Sequence, residues 1–218
     1  MSSITIPTIW CDKDGVLAQY DYSIFEPEHN IPAPFLIRNA HVFRNLEPCE
    51  NMCEAFRRLY NEVKDKSILQ RTMSLRVLTA VYEGLTLSEH VIDSMAWCSK
   101  NLGLREKDFF ATAVPKENVP LELKSEITKF DILLDDYNPN LRKWKAAGGT
   151  AIKVINGINS ITNEFPYFYN HVDADYIVCL IQRIVRDVYD GKDLGTGQIA
   201  PNQKDYEEYK NRRERHES

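Results

Sequence analysis

Residues 4–15 read Ile4-Thr5-Ile6-Pro7-Thr8-Ile9-Trp10-Cys11-Asp12-Lys13-Asp14-Gly15, and this stretch is the clearest indication of the fold class. β-Branched and aromatic side chains dominate its first eight positions, which is typical of a buried strand, and Pro7 suits only the beginning of one. Two carboxylates, Asp12 and Asp14, follow the strand directly. An EF-hand calcium loop needs its glycine at the sixth position, whereas Gly15 stands at the fourth, so a calcium loop is excluded.

Further strand candidates alternate with helical segments along the rest of the chain. Residues 75–79 and 150–155 are short apolar or β-branched runs, and Asp131-Ile132-Leu133-Leu134-Asp135-Asp136 is an apolar run that ends in two acids. Amphipathic helices are predicted at four places, which begin near Pro48, Thr86, Asn138 and Asp173. Strands that alternate with helices of about 10–15 residues predict an α/β fold with a doubly wound parallel sheet.

Composition and charge narrow the class of protein. The 218 residues include 27 Lys and Arg against 32 Asp and Glu, so the net charge is −5 and no basic excess indicates binding to polymeric nucleic acid. The longest strongly apolar run, residues 177–181, is far shorter than the roughly 20 residues that cross a bilayer, and the N-terminus does not resemble a signal peptide. The five cysteines include no Cys-x-x-Cys pair. These features predict a cytoplasmic protein with reduced thiols and no membrane or nucleic-acid partner.

Acidic residues at two strand ends predict a cation site. The carboxyl ends of parallel strands meet at one edge of the sheet, where ligands bind, so Asp12 and Asp14 are expected near Asp135 and Asp136. Converging carboxylates repel one another unless a cation lies between them, and oxygen ligands of this kind suit Mg²⁺.

Phosphate ligands are predicted from two further features. The Thr79 hydroxyl and the backbone N–H of Ala80, at another strand end, could hold a phosphate oxygen. A lysine, either Lys124 or Lys116, could neutralise the charge on a transferring phosphoryl group; these residues lie 11 and 19 positions before Asp135.

These four motifs, in this order, resemble those of the haloacid-dehalogenase-like phosphatase superfamily. The chain is most similar to its 5′-nucleotidases of the deoxyribonucleotidase type, over roughly residues 4–160. Three stretches carry the resemblance: Asp12-Lys13-Asp14-Gly15-Val16-Leu17-Ala18-Gln19-Tyr20, Phe43-Arg44-Asn45-Leu46-Glu47-Pro48, and Leu133-Leu134-Asp135-Asp136-Tyr137-Asn138-Pro139-Asn140-Leu141 with Gly148-Gly149 and residues 153–159.

The resemblance implies a role for each motif. Asp12 would be the nucleophile and Asp14 the general acid and base. Mg²⁺ would be held by Asp12, Asp14 through its backbone carbonyl, Asp136 and, directly or through water, Asp135. Thr79 and Ala80 would bind phosphate. Lys124 would be the catalytic lysine and Lys116 the alternative, because the family keeps this lysine about ten residues before the acid pair. Leu123 and Ala80 depart from the family pattern, which has an acid and a serine at these positions.

The resemblance also implies a domain plan and a substrate. Residues 1–17 and 71–200 would form a Rossmann-type α/β core, residues 18–70 a small helical cap inserted after the first strand, and residues 201–218 a charged C-terminal tail. Tyr20 and Phe43 in the cap would stack on a nucleotide base. The expected substrate is a small phosphomonoester, a nucleoside 5′-monophosphate in particular. A sugar phosphatase and a non-catalytic nucleotide-binding protein are the alternatives, and the sequence is compatible with a homo-oligomer.

Overall fold

A six-stranded parallel sheet forms the centre of the molecule in the computed structural model, which describes residues 5–19, 41–81, 87–124 and 126–217. The strands are β1 (Thr8–Cys11), β2 (Ser74–Ala80), β3 (Phe109–Thr112), β4 (Asp131–Asp135), β5 (Thr150–Ile155) and β6 (Tyr167–Tyr169). Their spatial order is β3-β2-β1-β4-β5-β6, and every neighbouring pair is parallel.

Within the described residues, six α-helices accompany the sheet. They are α1 (Glu50–Val63), α2 (Leu87–Leu102), α3 (Asn118–Lys124), α4 (Asn138–Ala146), α5 (Ala174–Tyr189) and α6 (Gln203–Glu217). The first four lie in the connections between successive strands from β1 to β5, as parallel pairing requires. The prediction of a doubly wound α/β fold is therefore confirmed.

Helices cover both faces of the sheet. Successive side chains of a strand point to opposite faces and therefore belong to two separate hydrophobic cores. Ile9 and Cys11 of β1 belong to the larger core, which α1, α2 and α5 complete, whereas Trp10 between them belongs to the smaller core with α3 and α4. In β4, Leu134 joins the larger core and Leu133 the smaller one. Strands buried on both faces read as continuous apolar runs, which is why β1 and β4 were visible in the sequence.

Helix α1 corrects the predicted boundary of the cap. Residues 18–70 were expected to form an insertion apart from the core, yet Met52, Phe56 and Leu59 of α1 are completely buried in the larger core, and α1 packs against α5. The helix is the crossover from β1 to β2, so α1 is the part of the predicted insertion that belongs to the core.

The C-terminal residues dock on the core. Asp173 caps α5 by accepting hydrogen bonds from the backbone N–H groups of Asp175 and Tyr176. The buried Asp175 carboxylate then binds both Arg58 of α1 and Arg213 of α6, the latter at 2.8 Å. This shared carboxylate fixes the charged tail, which forms helix α6 against α5.

No helix among the described residues combines the length and the apolar character that a transmembrane segment needs.

Candidate active site

The site lies between β1 and β4, where the order in which the chain adds strands to the sheet reverses. From β1 the chain builds the sheet outward through β2 and β3 on one side, and then returns to add β4, β5 and β6 on the other. Ligands of doubly wound folds bind in the crevice at the carboxyl ends of the two strands that flank this point. Here those strands are β1 and β4, and Asp12 and Asp135 stand at their ends.

Three carboxylates converge at this position. Cys11 of β1 is in register with Leu134 of β4, and the backbone N–H of Asp12 donates to the Leu134 carbonyl at 2.9 Å. As a result, Asp12, Asp135 and Asp136 each bring one carboxylate oxygen within 4.8 Å of the others, and all three residues are buried. The predicted meeting of the two acidic strand ends is what the structure shows.

Lys116 is the cation inside this carboxylate cluster. Its ammonium lies 2.8 Å from Asp12 Oδ1 and 2.7 Å from Asp135 Oδ2, and the side chain is 1% exposed. Lys116 follows β3 by four residues, so it stands at the same edge of the sheet as the acids. It was the alternative to Lys124 in the sequence.

The preferred assignment of Lys124 is corrected by the structure. Lys124 pairs with Asp131 at 2.6 Å and its side chain is 40% exposed. Asp131 begins β4 whereas Asp135 ends it, and four residues of strand separate the two positions by about 13 Å. Helix α3 carries the chain from the carboxyl edge of the sheet, where Lys116 lies, back to the opposite edge, where Lys124 ends the helix.

Gly15 allows the turn after β1 to pass close to the acid cluster. Its φ of +85° is in the left-handed region, and a Cβ added there would lie 2.3 Å from Asp136 Oδ2. Both observations exclude a larger side chain. The turn is closed by hydrogen bonds from the N–H groups of Leu17 and Ala18 to the Lys13 carbonyl.

Asp14 faces Thr79 at the end of β2. The Thr79 hydroxyl donates to Asp14 Oδ2 at 3.2 Å and is buried, so the strand-end hydroxyl does reach the acidic turn. Ala80 is the last residue of β2 and is exposed. The Asp14 carboxylate is not part of the cluster that Asp12, Asp135 and Asp136 form.

Lys13 is a site residue that the sequence did not reveal. Its side chain is completely buried, its ammonium binds Asp14 Oδ1, and the same ammonium lies 5.4 Å from the ring centroids of both Phe43 and Trp97. An ammonium over aromatic faces gains cation–π stabilisation, which offsets part of the cost of burying the charge. A lysine between two aspartates reads as a solvated turn in the sequence, because its aromatic neighbours come from distant segments.

Of the two expected base-stacking residues, the structure describes only Phe43. Phe43 is 2% exposed, and its ring stacks on that of His90 with centroids 3.6 Å apart. It therefore packs within the protein, and the expectation that it offers a face to a base is corrected. Burial lowers the pKa of His90 to about 4, so this stacked imidazole is neutral at pH 7. Tyr20 lies outside the described residues.

Electrostatics of the cluster favour a bound cation. Burial raises the pKa of the Asp12 carboxyl well above its usual range; the Lys116 ammonium opposes this shift, and the carboxylates of Asp135 and Asp136 reinforce it. Burial alone would lower the pKa of Lys116, but Asp12 and Asp135 outweigh burial and raise it. Lys116 thus offsets part of the negative charge of the cluster, and further positive charge would stabilise the ionised forms of the acids.

The donor set fits Mg²⁺ in particular. Mg²⁺ prefers oxygen ligands and keeps several waters, so one or two carboxylates and a carbonyl suffice. Asp12 Oδ1 is engaged by the Lys13 N–H at 2.8 Å and by Lys116, whereas Asp12 Oδ2 has no hydrogen-bond partner among the residues that the structure describes. One oxygen of Asp12 is therefore fixed by the protein, and the other remains for a ligand.

Fold and site together define an α/β protein of Rossmann type with an acid and lysine cluster at its switch point. A scan against protein-family models and a search of curated proteins found no match. Among solved structures, the chain is similar to D,D-heptose 1,7-bisphosphate phosphatase from Burkholderia thailandensis, with a TM-score of 0.47 and 14% identity over 85% of this chain and 97% of that chain.

A second similar structure is a HAD family hydrolase from Deinococcus radiodurans R1 with bound phosphate and sodium. Its TM-score is 0.44, with 12% identity over 71% of this chain and 83% of that chain. Likenesses this distant assign neither a family nor an activity to the chain. The residues of the site itself therefore indicate what the protein does.

Proposed function

We propose that the protein is a Mg²⁺-dependent phosphomonoester hydrolase that works through an aspartyl-phosphate. The observation that carries this proposal is the buried contact of Lys116 with both Asp12 and Asp135, beside Asp136. A carboxylate nucleophile, a cation site and a fixed ammonium are the parts that phosphoryl transfer requires at one place. The ordered resemblance of the motifs to haloacid-dehalogenase-like phosphatases supports the same reaction.

In the first step, a carboxylate oxygen of Asp12 attacks phosphorus while the bond to the leaving oxygen breaks. Asp14 gives its proton to that oxygen, so the alcohol leaves neutral. In the second step, Asp14 takes a proton from water as the water oxygen attacks phosphorus, which releases phosphate and restores Asp12. Thr79 is suited to hold Asp14, because its hydroxyl already contacts the Asp14 carboxylate.

Positive charge would come from two sources. Mg²⁺ would be held by Asp12, Asp136 and the backbone carbonyl of Asp14, with Asp135 directly or through water, and when bound it supplies charge neutralisation for the phosphoryl oxygens. Lys116 supplies a second, permanent positive charge. Because the Lys116 ammonium is locked between two carboxylates, it is preorganised and needs no rearrangement during the reaction.

The proposed substrates are nucleoside 5′-monophosphates. What supports this class is the sequence resemblance at residues 12–20, 43–48 and 133–141; stacking of Phe43 on a base is not part of this support, because Phe43 packs inside the protein. The segment proposed to cover the site lies within residues 18–70 and excludes α1, because α1 belongs to the core. Sugar phosphates are the competing class.

A substrate panel combined with one variant tests the proposal. The wild type should hydrolyse a generic aryl phosphate with Mg²⁺ and lose that activity with EDTA, and Asp12→Asn should be inactive under both conditions. Among nucleoside and sugar monophosphates, the nucleotides should have the highest kcat/KM. Unchanged hydrolysis by Asp12→Asn would contradict the mechanism, and a preference for sugar phosphates over every nucleotide would contradict only the substrate class.

A further inference from the structure

A pair of asparagines after β5 joins the acidic turn to the acid cluster. Asn156 Nδ2 donates to Asp136 Oδ2 at 2.9 Å and to the Gly15 carbonyl at 2.9 Å. Asn159 Nδ2 donates to the backbone carbonyls of Asp136 at 3.0 Å and Val154 at 2.8 Å. Three strand ends, those of β1, β4 and β5, thus meet at two amide groups.

The orientation of the Asn156 amide is determined by its partners. Both partners of Nδ2 are oxygens, and Oδ1 accepts from the backbone N–H groups of Ile158 and Asn159, each at 3.1 Å. A flipped amide would set oxygen against two oxygens and NH₂ against two N–H groups, so only one orientation satisfies all four contacts. The amide is therefore a fixed donor directed at Asp136.

The contact from Asn156 restricts the Asp136 carboxylate, which the turn at Gly15 approaches closely. Asp136 Oδ2 lies where a Cβ on Gly15 would fall, so the carboxylate has little room on that side. The Asn156 amide binds the same oxygen and simultaneously holds the Gly15 carbonyl. The amide thus couples the position of the carboxylate to the backbone of the turn that carries Asp12 and Asp14.

We propose that Asn156 is a positioning residue that directs the Asp136 carboxylate into the cation site and aligns it with the turn after β1. This inference rests on the proposed Mg²⁺-dependent function. Partners of metal ligands fix the orientation of those ligands, and their loss typically lowers metal affinity by about 10–100-fold. The Asn159 side chain contacts backbone groups: Nδ2 donates to the carbonyls of Asp136 and Val154, and Oδ1 accepts from the Asn156 N–H at 3.1 Å. It therefore supports the loop without touching the Asp136 carboxylate.

The two asparagines allow a matched experiment. Asn156→Ser keeps a short side-chain oxygen that can accept from the following N–H groups, but it no longer reaches Asp136. Asn159→Ser disturbs the same loop and leaves the carboxylate contact in place. Mn²⁺ serves as the probe, and its binding to the substrate-free protein is measured by electron paramagnetic resonance, with thermal unfolding in EDTA as the measure of loop damage.

We expect Asn156→Ser to weaken Mn²⁺ binding by about tenfold or more and Asn159→Ser to change it by less than about threefold, at similar losses of Tm. Asn156→Ala provides a second measurement and should weaken binding as much as Asn156→Ser. Equal weakening by the two serine variants would overturn the positioning role, because it would reflect loop damage alone. A wild type that does not bind Mn²⁺ would instead overturn the proposed cation site itself.

Discussion

Replacing Lys116 with methionine tests the placement of the catalytic lysine. Lys116→Met keeps an unbranched side chain that is one atom shorter and removes the charge, and Lys124→Met makes the same change at the other candidate. The structure places only the first ammonium between Asp12 and Asp135. Loss of a preorganised group that stabilises transition-state charge typically lowers kcat by about 10²–10³, which we expect for Lys116→Met.

The two variants, Lys116→Met and Lys124→Met, should also differ strongly in how much stability they lose. Lys116 makes contacts of 2.8 and 2.7 Å in a fully buried setting, and removal of one partner from a buried ion pair costs about 3–5 kcal/mol. Lys124 is 40% exposed, and Asp131 keeps hydrogen bonds from the Thr128 N–H and the Trp10 indole. Lys124→Met should therefore lower the free energy of unfolding by at most about 1 kcal/mol.

Urea unfolding in EDTA gives the free energy of unfolding, and hydrolysis of an aryl phosphate with Mg²⁺ gives kcat. Added Mg²⁺ should restore part of the stability that Lys116→Met loses, because it supplies the missing positive charge to the carboxylates. Lys124→Met should retain at least about half of the wild-type kcat, since it alters no contact of the site. A larger loss of kcat in Lys124→Met than in Lys116→Met would refute the reasoning.

Three further substitutions test other parts of the site. Gly15→Ala should abolish Mn²⁺ binding measured by electron paramagnetic resonance, because its Cβ would meet Asp136 Oδ2 at 2.3 Å; binding like the wild type would contradict this. Asp12→Asn should raise the Tm of the Mg²⁺-free protein at pH 7, because Lys116 keeps its contact with Asp135 at 2.7 Å while one of three mutually repelling buried carboxylates is removed. Burial raises the pKa of Asp12 in the folded state, so the contribution of this acid to stability is present below about pH 4 and is lost as the pH rises through the folded-state pKa. The gain should vanish in acid, and a gain independent of pH would argue against this cause. Lys13→Met should lower kcat for an aryl phosphate by about tenfold with KM nearly unchanged, because Asp14 loses a positioning contact; a change in KM alone would contradict this.

The sequence was sufficient to predict the central strands and the meeting of their acids. β1 and β4 are buried on both faces, so their apolar runs are continuous, and the carboxylates that follow them end at one edge by the geometry of a parallel sheet. β3 and β6 were not predicted. They have four and three residues, and they lie at the two edges of the sheet, where a run is too short to show a period.

The choice between the two lysines was wrong because it counted residues and ignored the direction of the chain. In a crossover between parallel strands, residues just after a strand lie at the carboxyl edge, and residues just before the next strand lie at the opposite edge. Lys116 follows β3 closely, whereas Lys124 precedes β4. The position of each lysine relative to its neighbouring strand was therefore the signal that favoured Lys116.

Tertiary contacts explain what the sequence could not predict. Lys13 is buried because Phe43 and Trp97, both remote in sequence, surround its ammonium. Helix α1 showed the amphipathic pattern of any helix with one buried face, and the pattern does not say whether that face packs on a cap or on the sheet. Asn156 follows the end of β5, and its side chain binds the carbonyl of Gly15, which is more than a hundred positions away in the sequence.

Formation of a covalent phosphoryl group on Asp12 tests the central claim most directly. The wild type is mixed with an aryl phosphate and Mg²⁺, quenched in acid within the first turnover, digested and analysed by mass spectrometry, with Asp12→Asn treated in parallel. We expect the peptide that contains Asp12 to gain the mass of one phosphoryl group in the wild type alone. Turnover of the ester with no phosphorylated peptide at any quench time, or the same added mass in Asp12→Asn, would contradict it.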